Sequence, residues 1–177
     1  LEQRPLEFNR KTGLPEVEQR HLLPQRGGQS GLVRAALGRK RDAAGRAGRA
    51  GAVVLDDTYN ANPDSVRAGI EVLAATIGRK ILVLGDMGEI GEASGQYHDE
   101  IGGYAKSQGV DLLFGIGDAC QQAVRNFGEG ARHFSDIDKL IAAVSKELGP
   151  ETTVLVKGSR FMKMERVADA LVAGEHD

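Results

Sequence analysis

The sequence contains no tryptophan, a single cysteine (Cys120) and few aromatic residues of any kind, 5% of the chain. With one thiol, neither an intrachain disulfide framework nor a cysteine-based metal site can form. A core so short of aromatics must be built from Val, Ile, Leu and Ala. No apolar run approaches the roughly 20 residues that span a bilayer, and residues 1–30 hold none of the apolar stretch of a secretory signal. The expectation is a protein of a reducing, cytoplasmic compartment with no membrane partner.

Chemical motifs are missing too. No stretch reads as a P-loop, and no Ser-His-Asp arrangement can be argued. His21, His98, His133 and His176 lack metal-ligand spacing and are expected at the surface, so no metal site is expected. Gly115-Ile116-Gly117 opens like a dinucleotide fingerprint, but Cys120 stands where its last glycine belongs. Cys120, among Ala119, Ala123 and Val124, reads as packing rather than as a nucleophile.

What is present suits one ordinary globular domain with a tail: 177 residues, 41% hydrophobic and 27% charged. The net charge of −2 hides an asymmetry, because residues 1–50 carry +6 and the remainder −8. A basic arm can bind nucleic acid, yet this one has one aromatic, Phe8, and no recognisable motif; a solvated arm is expected, with no nucleic-acid partner. Residues 1–50 are rich in Arg and Gly and hold no sustained apolar period, so they read as linker-like or poorly ordered. The folded domain is expected over 51–177. The chain does not begin with Met, which reads as a fragment of something longer.

From Ala52 onward short apolar runs alternate with amphipathic stretches. Ala52–Leu55, Ile81–Leu84, Leu112–Ile116 and Val154–Val156 read as strands buried on both faces of a parallel sheet, with a weaker strand at Arg132–Phe134. Helical stripes lie between and after them: Val66, Ile70, Leu73 and Ile77, stopped by Gly78; Ile101, Tyr104 and Ala105; Ala119, Ala123 and Phe127; Ile137, Leu140, Ile141, Val144 and Leu148, with Ser135 as N-cap; and Phe161, Met164, Val167, Ala168 and Leu171. This alternation predicts an α/β, Rossmann-like, doubly wound and mostly parallel sheet of five or six strands with helices on both faces.

Ligands in such sheets bind beyond the carboxyl ends of the strands, which directs attention to three loops. In Asp56-Asp57-Thr58-Tyr59-Asn60-Ala61-Asn62-Pro63-Asp64-Ser65, helix capping accounts for Asn62 to Ser65. It leaves Asp56, Asp57, Tyr59 and Asn60 crowded at a strand end without a structural reason. Gly85-Asp86-Met87-Gly88-Glu89-Ile90-Gly91 is either a glycine turn or a site edge carrying Asp86 and Glu89. Lys157-Gly158-Ser159-Arg160, at a helix N-terminus, suits a carboxylate or phosphate; otherwise it is a charged loop capped by Ser159.

These three segments, in this order and spacing, resemble the C-terminal domain of the Mur ligase family, and within it the members that add D-alanyl-D-alanine to UDP-N-acetylmuramoyl-tripeptide in peptidoglycan precursor synthesis. The resemblance runs from Ala52 to Leu171 and does not extend into residues 1–50. It implies an ATP-dependent peptide ligase of several domains. The peptide carboxylate is activated as an acyl phosphate, and ATP and Mg²⁺ are held mainly by a central domain. The resemblance assigns Asp57, Tyr59, Asn60 and Asn62 to the nucleotide, and Lys157, Ser159 and Arg160 to the incoming substrate. Asp86 and Glu89 are further candidates for the same pocket. Arg160 or Lys157 would hold the dipeptide's carboxylate. No catalytic residue is expected within this chain alone, and alone it is expected to be inactive. The rival readings are a sibling ligase for another amino acid, disfavoured by Tyr59-Asn60-Ala61-Asn62, and a nucleotide- or partner-binding α/β module. A receiver-type module would end its third strand in a lone Asp, whereas here Asp118 follows only after Gly-Ile-Gly.

Overall fold

A computed structural model describes residues 44–172. Six strands form one sheet in the order β1-β2-β6-β3-β4-β5: β1 Ala44–Ala47, β2 Val53–Asp57, β3 Arg79–Gly85, β4 Leu112–Ile116, β5 Ala131–Phe134 and β6 Thr152–Lys157. All pairings are parallel except β1 with β2. The helices are α1 Pro63–Ala74, α2 Ser94–Ser107, α3 Cys120–Phe127, α4 Ile137–Ser145 and α5 Glu165–Leu171. Among the described residues no helix is long and apolar enough to cross a membrane.

Side chains alternate across a strand, and the continuous apolar runs therefore feed two separate cores. Leu55, Leu82, Leu84, Leu113 and Leu155 face one side, where α1, α2 and α3 cover them with Val66, Ile70, Leu73, Ile101, Ala123 and Phe127. Val54, Ile81, Val83, Phe114, Val154 and Val156 face the other, beneath Leu140 and Val144 of α4 and Val167, Ala168 and Leu171 of α5. The sheet is doubly wound, as its alternating pattern predicts.

Several local expectations shift. Ala44–Ala47, which composition groups with the linker-like segment, forms the antiparallel edge strand, and Arg46 ties it down through Asp56 at 3.1 Å and Asp169 at 2.6 Å. Gly48 to Ala50 of the expected linker lie in the turn that leads into β2, while residues 1–43, like His21 and His176, lie outside the described residues. The first helix ends at Ala74, so Ile77 is off the stripe and 66% exposed. Asp136, not Ser135, caps α4, because it directly precedes the first helical residue and its Oδ1 accepts from the N–H groups of both Asp138 and Lys139. Leu148 lies beyond the end of α4 and packs half-buried on the second core. Phe161 is not on the last helix: it sits exposed in the short 3₁₀ turn Arg160–Met162, and Met164 is buried just before α5 begins.

The strand order fixes where chemistry can gather. The last strand, β6, inserts between β2 and β3, with Lys157 in register with Asp57 on one side and Leu84 on the other. The three suspect loops therefore leave adjacent strands at one edge. The chain departs from β2 and β3 toward the α1–α3 face and from β6 toward α5, a topological switch point of the kind at which ligands bind.

Helix α2 crosses α3 so closely that a Cβ on Gly102 would collide with the Ala123 carbonyl oxygen. Alanine at a mid-helix position ordinarily gains about 1 kcal/mol over glycine. Here overpacking should outweigh that gain, so Gly102→Ala is expected to lose about 1–3 kcal/mol of unfolding free energy in urea titrations. A variant as stable as its parent would show that this helix crossing is looser than described.

Candidate functional site

The adjacent carboxylates Asp56 and Asp57 do not act together, because neighbours on a strand face opposite sides. Asp56 turns to the α5 face, accepting from Arg46 and from the Thr58 hydroxyl at 2.8 Å. Asp57 turns to the α1 face and meets Lys157. The Lys157 side chain is only 2% exposed, with Nζ donating to Asp57 Oδ2 at 2.7 Å and to the Asn60 carbonyl oxygen at 2.8 Å. Room for it comes from Gly69 of α1, where a Cβ would approach Leu155, Lys157 and Asp57. Lys157, expected as a free cation, is thus committed to fastening the Tyr59 loop to the sheet.

That loop then presents its ring outward. Tyr59 is 78% exposed. The Asn60 side chain accepts from the Ala61 N–H at 2.8 Å. Asn62 builds a capping box with Ser65: its Oδ1 accepts from the Ser65 N–H at 2.9 Å, while its own N–H donates to Ser65 Oγ at 3.1 Å, with Pro63 opening α1.

Asp86, at the end of β3, holds two other elements. Its carboxylate accepts from the N–H groups of Cys120, at 2.8 Å, and Ala119, at 3.3 Å, capping α3 from a distant loop. Its carbonyl oxygen accepts from the N–H of Ser159 at 3.0 Å and from the Ser159 hydroxyl at 2.6 Å. Gly117, at φ 107°, leaves space for this carboxylate, where a Cβ would collide with it. Here the glycines of the discounted fingerprint have a purpose unrelated to a dinucleotide.

His98 corrects the expectation of a surface residue. It is fully buried because its ring bridges two backbone groups: Met87 N–H donates to Nε2 at 3.0 Å, so the proton sits on Nδ1 and is donated to the Ser94 carbonyl oxygen at 2.7 Å. His133 is half-buried, its Nε2 2.7 Å from the Gly117 carbonyl oxygen. Asp86, His98 and Cys120 bring possible metal-ligand atoms within 4.8 Å of one another. They do not suit an ion. The Nε2 lone pair and the Asp86 oxygens already accept backbone N–H groups, and the Cys120 thiol donates to the Leu84 carbonyl oxygen at 3.3 Å. Burial, reinforced by the Asp86 charge, also pushes that thiol well above its ordinary value.

Tyr59, Asn60, Glu89, Ser159 and Arg160 come together in the lining of one cleft of about 550 Å³, completed by Gly88, Phe161 and Lys163. The Arg160 guanidinium lies 5.9 Å above the Tyr59 ring and 3.3 Å from Glu165 Oε1. Asp57, Asn62, Asp86 and Lys157 are outside that lining and position its loops from behind. Sequence reasoning missed Phe161 and Lys163: Phe161 fits a helical stripe by spacing, and nothing in a run of residues shows that Lys163 turns into the left-handed region, at φ 49°.

The family model for the glutamate ligase domain of Mur ligases matches residues 45–160. The chain belongs to the Mur ligase family. Among similar proteins, the UDP-N-acetylmuramoyl-tripeptide–D-alanyl-D-alanine ligase of Buchnera aphidicola is 41% identical over 122 residues, covering 68% of this chain and 27% of that protein. The ligase of the same name from Escherichia coli is 39% identical over 121 residues, covering 67% and 26%. In three dimensions a Mur ligase from Thermotoga maritima, MurF in complex with ADP, superposes with a TM-score of 0.64 at 27% identity, covering 71% of this chain and 29% of that one. The chain spans about a quarter of the length of the curated relatives it matches. The match covers all three loops of this Mur ligase domain and also β1 from Gly45 onward.

Two measurements check the interior of the site. Lys157→Met takes the ammonium away from the Asp57 carboxylate and is expected to cost about 3–5 kcal/mol in chemical unfolding, much of it recovered by adding Asp57→Asn. The Cys120 thiol should resist Ellman's reagent in the native chain and react once unfolded. Because the folded thiol holds its proton at pH values where the unfolded one releases it, stability should be unaffected below about pH 8.5 and fall above it. Reaction of the native thiol at the unfolded rate would contradict the burial.

Proposed function

We propose that this chain serves as the C-terminal domain of an ATP-dependent ligase joining D-alanyl-D-alanine to UDP-N-acetylmuramoyl-tripeptide. One observation carries the reading: the cleft sets the exposed Tyr59 ring of one loop beside the Arg160 guanidinium of another, on a chain whose relatives bear that ligase's name. An aromatic ring left mostly in solvent gains apolar contact if a base stacks on it, and Tyr59 is assigned to the adenine. Asn60 shares its rim. Asp57 and Asn62 serve the nucleotide indirectly, Asp57 by holding Lys157 under the loop and Asn62 by capping α1.

On the substrate side, Arg160 is assigned to the carboxylate of the dipeptide, since a planar guanidinium matches it with two parallel hydrogen bonds. Ser159, its hydroxyl donated to the Asp86 carbonyl oxygen, holds the turn that carries Arg160. Lys157 and Asp86 hold the two loops at constant spacing. The cleft lining carries two cations, Arg160 and Lys163, against one carboxylate, Glu89. That balance suits an anionic group better than a divalent ion, and Mg²⁺ is assigned to a central domain. ATP, when bound, supplies the phosphoryl group that makes the peptide carboxylate reactive. This chain's own part is to orient the amine beside that carboxylate and to exclude water as the domains close.

The test is reconstitution. The chain is mixed with a separately made N-terminal-plus-central fragment of such a ligase, and phosphate release from ATP is followed with UDP-N-acetylmuramoyl-tripeptide present. Release should require both this chain and D-alanyl-D-alanine, and Arg160→Ala should raise the KM for the dipeptide by about 10–100-fold, the loss of a charged hydrogen-bonding group. Release indifferent to the dipeptide would remove the ligase reading and leave the family membership in place.

A further inference from the structure

Three non-glycine residues among those described hold a positive φ: Ala50 at 53°, Glu89 at 57° and Lys163 at 49°. Ala50 sits in the tight turn between β1 and β2. The other two line the same cleft. Side chains with a Cβ resist this conformation, so it persists only where the surroundings impose it. The two turns also lie against each other: a Cβ on Gly88 would lie 3.1 Å from both the Phe161 ring and Ser159 Cβ, so the loop carrying Glu89 rests directly on the turn that leads to Lys163.

The two side chains are opposite in charge and uncommitted. Arg160 leans on Glu165, and Lys157 is consumed by Asp57. The Glu89 carboxylate and the Lys163 ammonium have no hydrogen-bond or ion-pair partner among the described residues, and they do not pair with each other. Two fixed turns that hold an anion and a cation apart on one cleft wall suit a ligand carrying both signs.

We infer that Glu89 and Lys163 are a specificity pair that reads the two ends of a zwitterionic dipeptide. Glu89 takes the α-ammonium, and Lys163, next to Arg160, takes the terminal carboxylate. The inference rests on the reading of this cleft as the dipeptide's site and adds which residue meets which end. An extended dipeptide spans roughly 7 Å, and the cleft is of the size that ordinarily holds a small ligand. Discrimination then comes from charges at both ends: a blocked amine leaves Glu89 facing nothing, and an amidated carboxyl leaves two cations without an anion.

The experiment uses the full 177-residue chain, with binding followed by amide chemical shifts. Three ligands are titrated: D-alanyl-D-alanine, its N-acetyl derivative and its C-terminal amide. The dipeptide should move the resonances of Glu89, Ser159 and Lys163. Glu89→Gln should weaken the free dipeptide by about two- to fivefold, the effect of one exposed charge pair, and leave the N-acetyl derivative unchanged. Lys163→Gln should do the same to the dipeptide while sparing the amide. If the dipeptide binds at the cleft and the variants change nothing, or weaken all three ligands alike, the pair does not read the ends and the inference falls alone. If the dipeptide moves no cleft resonance, the placement of the dipeptide in this cleft falls, and the inference with it.

Discussion

A lysine ammonium buried at the carboxyl end of the sheet is the constraint on which the site is built. Removing an ion from water costs several kcal/mol even after relaxation, and Lys157 is held only because the β2–β6 register sets Asp57 beside it and the loop turns the Asn60 carbonyl toward it. The pair is better understood as a fastening than as a source of stability, since well-packed apolar residues often replace such pairs without loss. What it secures is the height of the Tyr59 loop above the sheet. Gly69 in the middle of α1 follows from the same demand, accepting a poorer helix former so that the lysine stem has room.

The opposite wall of the cleft depends on Asp86 in a comparable way. One residue caps α3 with its side chain and receives Ser159 twice with its main chain. Next to it the His98 ring fixes the following residue, Met87, through its backbone. The loop carrying Ser159 and Arg160 therefore stands on contacts from β3, α2 and α3 rather than on its own short turn. This explains why Gly117 and Gly158 sit where they do: at each, a Cβ would run into a neighbour that the arrangement needs, the Asp86 carboxylate or the Met164 side chain.

Most of the architecture was legible because burial on both faces writes itself as continuous apolar runs, and the four interior strands could be read that way, while the edge strand β5, Ala-Arg-His-Phe and only half-buried, gave a weaker signal. The antiparallel edge strand β1 could not: Ala-Gly-Arg-Ala has no apolar signature, and it is recruited by backbone pairing and by Arg46 reaching to Asp56 and Asp169. The three loops were visible as clusters of polar groups at strand ends. Which of their side chains face solvent was not visible, because that depends on strand order. Lys157 looks like a free cation until β6 is placed beside β2, and His98 looks like a surface residue until its partner is seen to be the main chain of Met87. Lys163 escaped for a third reason, since a left-handed turn at a lysine has no residue-type signature of the kind glycine provides.

The central position of β6 has a consequence for how the chain comes to be folded. The strand that separates β2 from β3 is the last of the six to leave the ribosome, and until Thr152–Lys157 is available the sheet exists only as β1-β2 on one side and β3-β4-β5 on the other. Closing it requires contacts between segments about a hundred residues apart, such as Asp57 and Lys157, the kind of non-local pairing that makes folding slow. The nascent domain must therefore keep the apolar flanks of both part-sheets unpaired until nearly the whole of it has been synthesised. The cleft, whose walls come from the loops after β2, β3 and β6, is complete only once that last strand is in place.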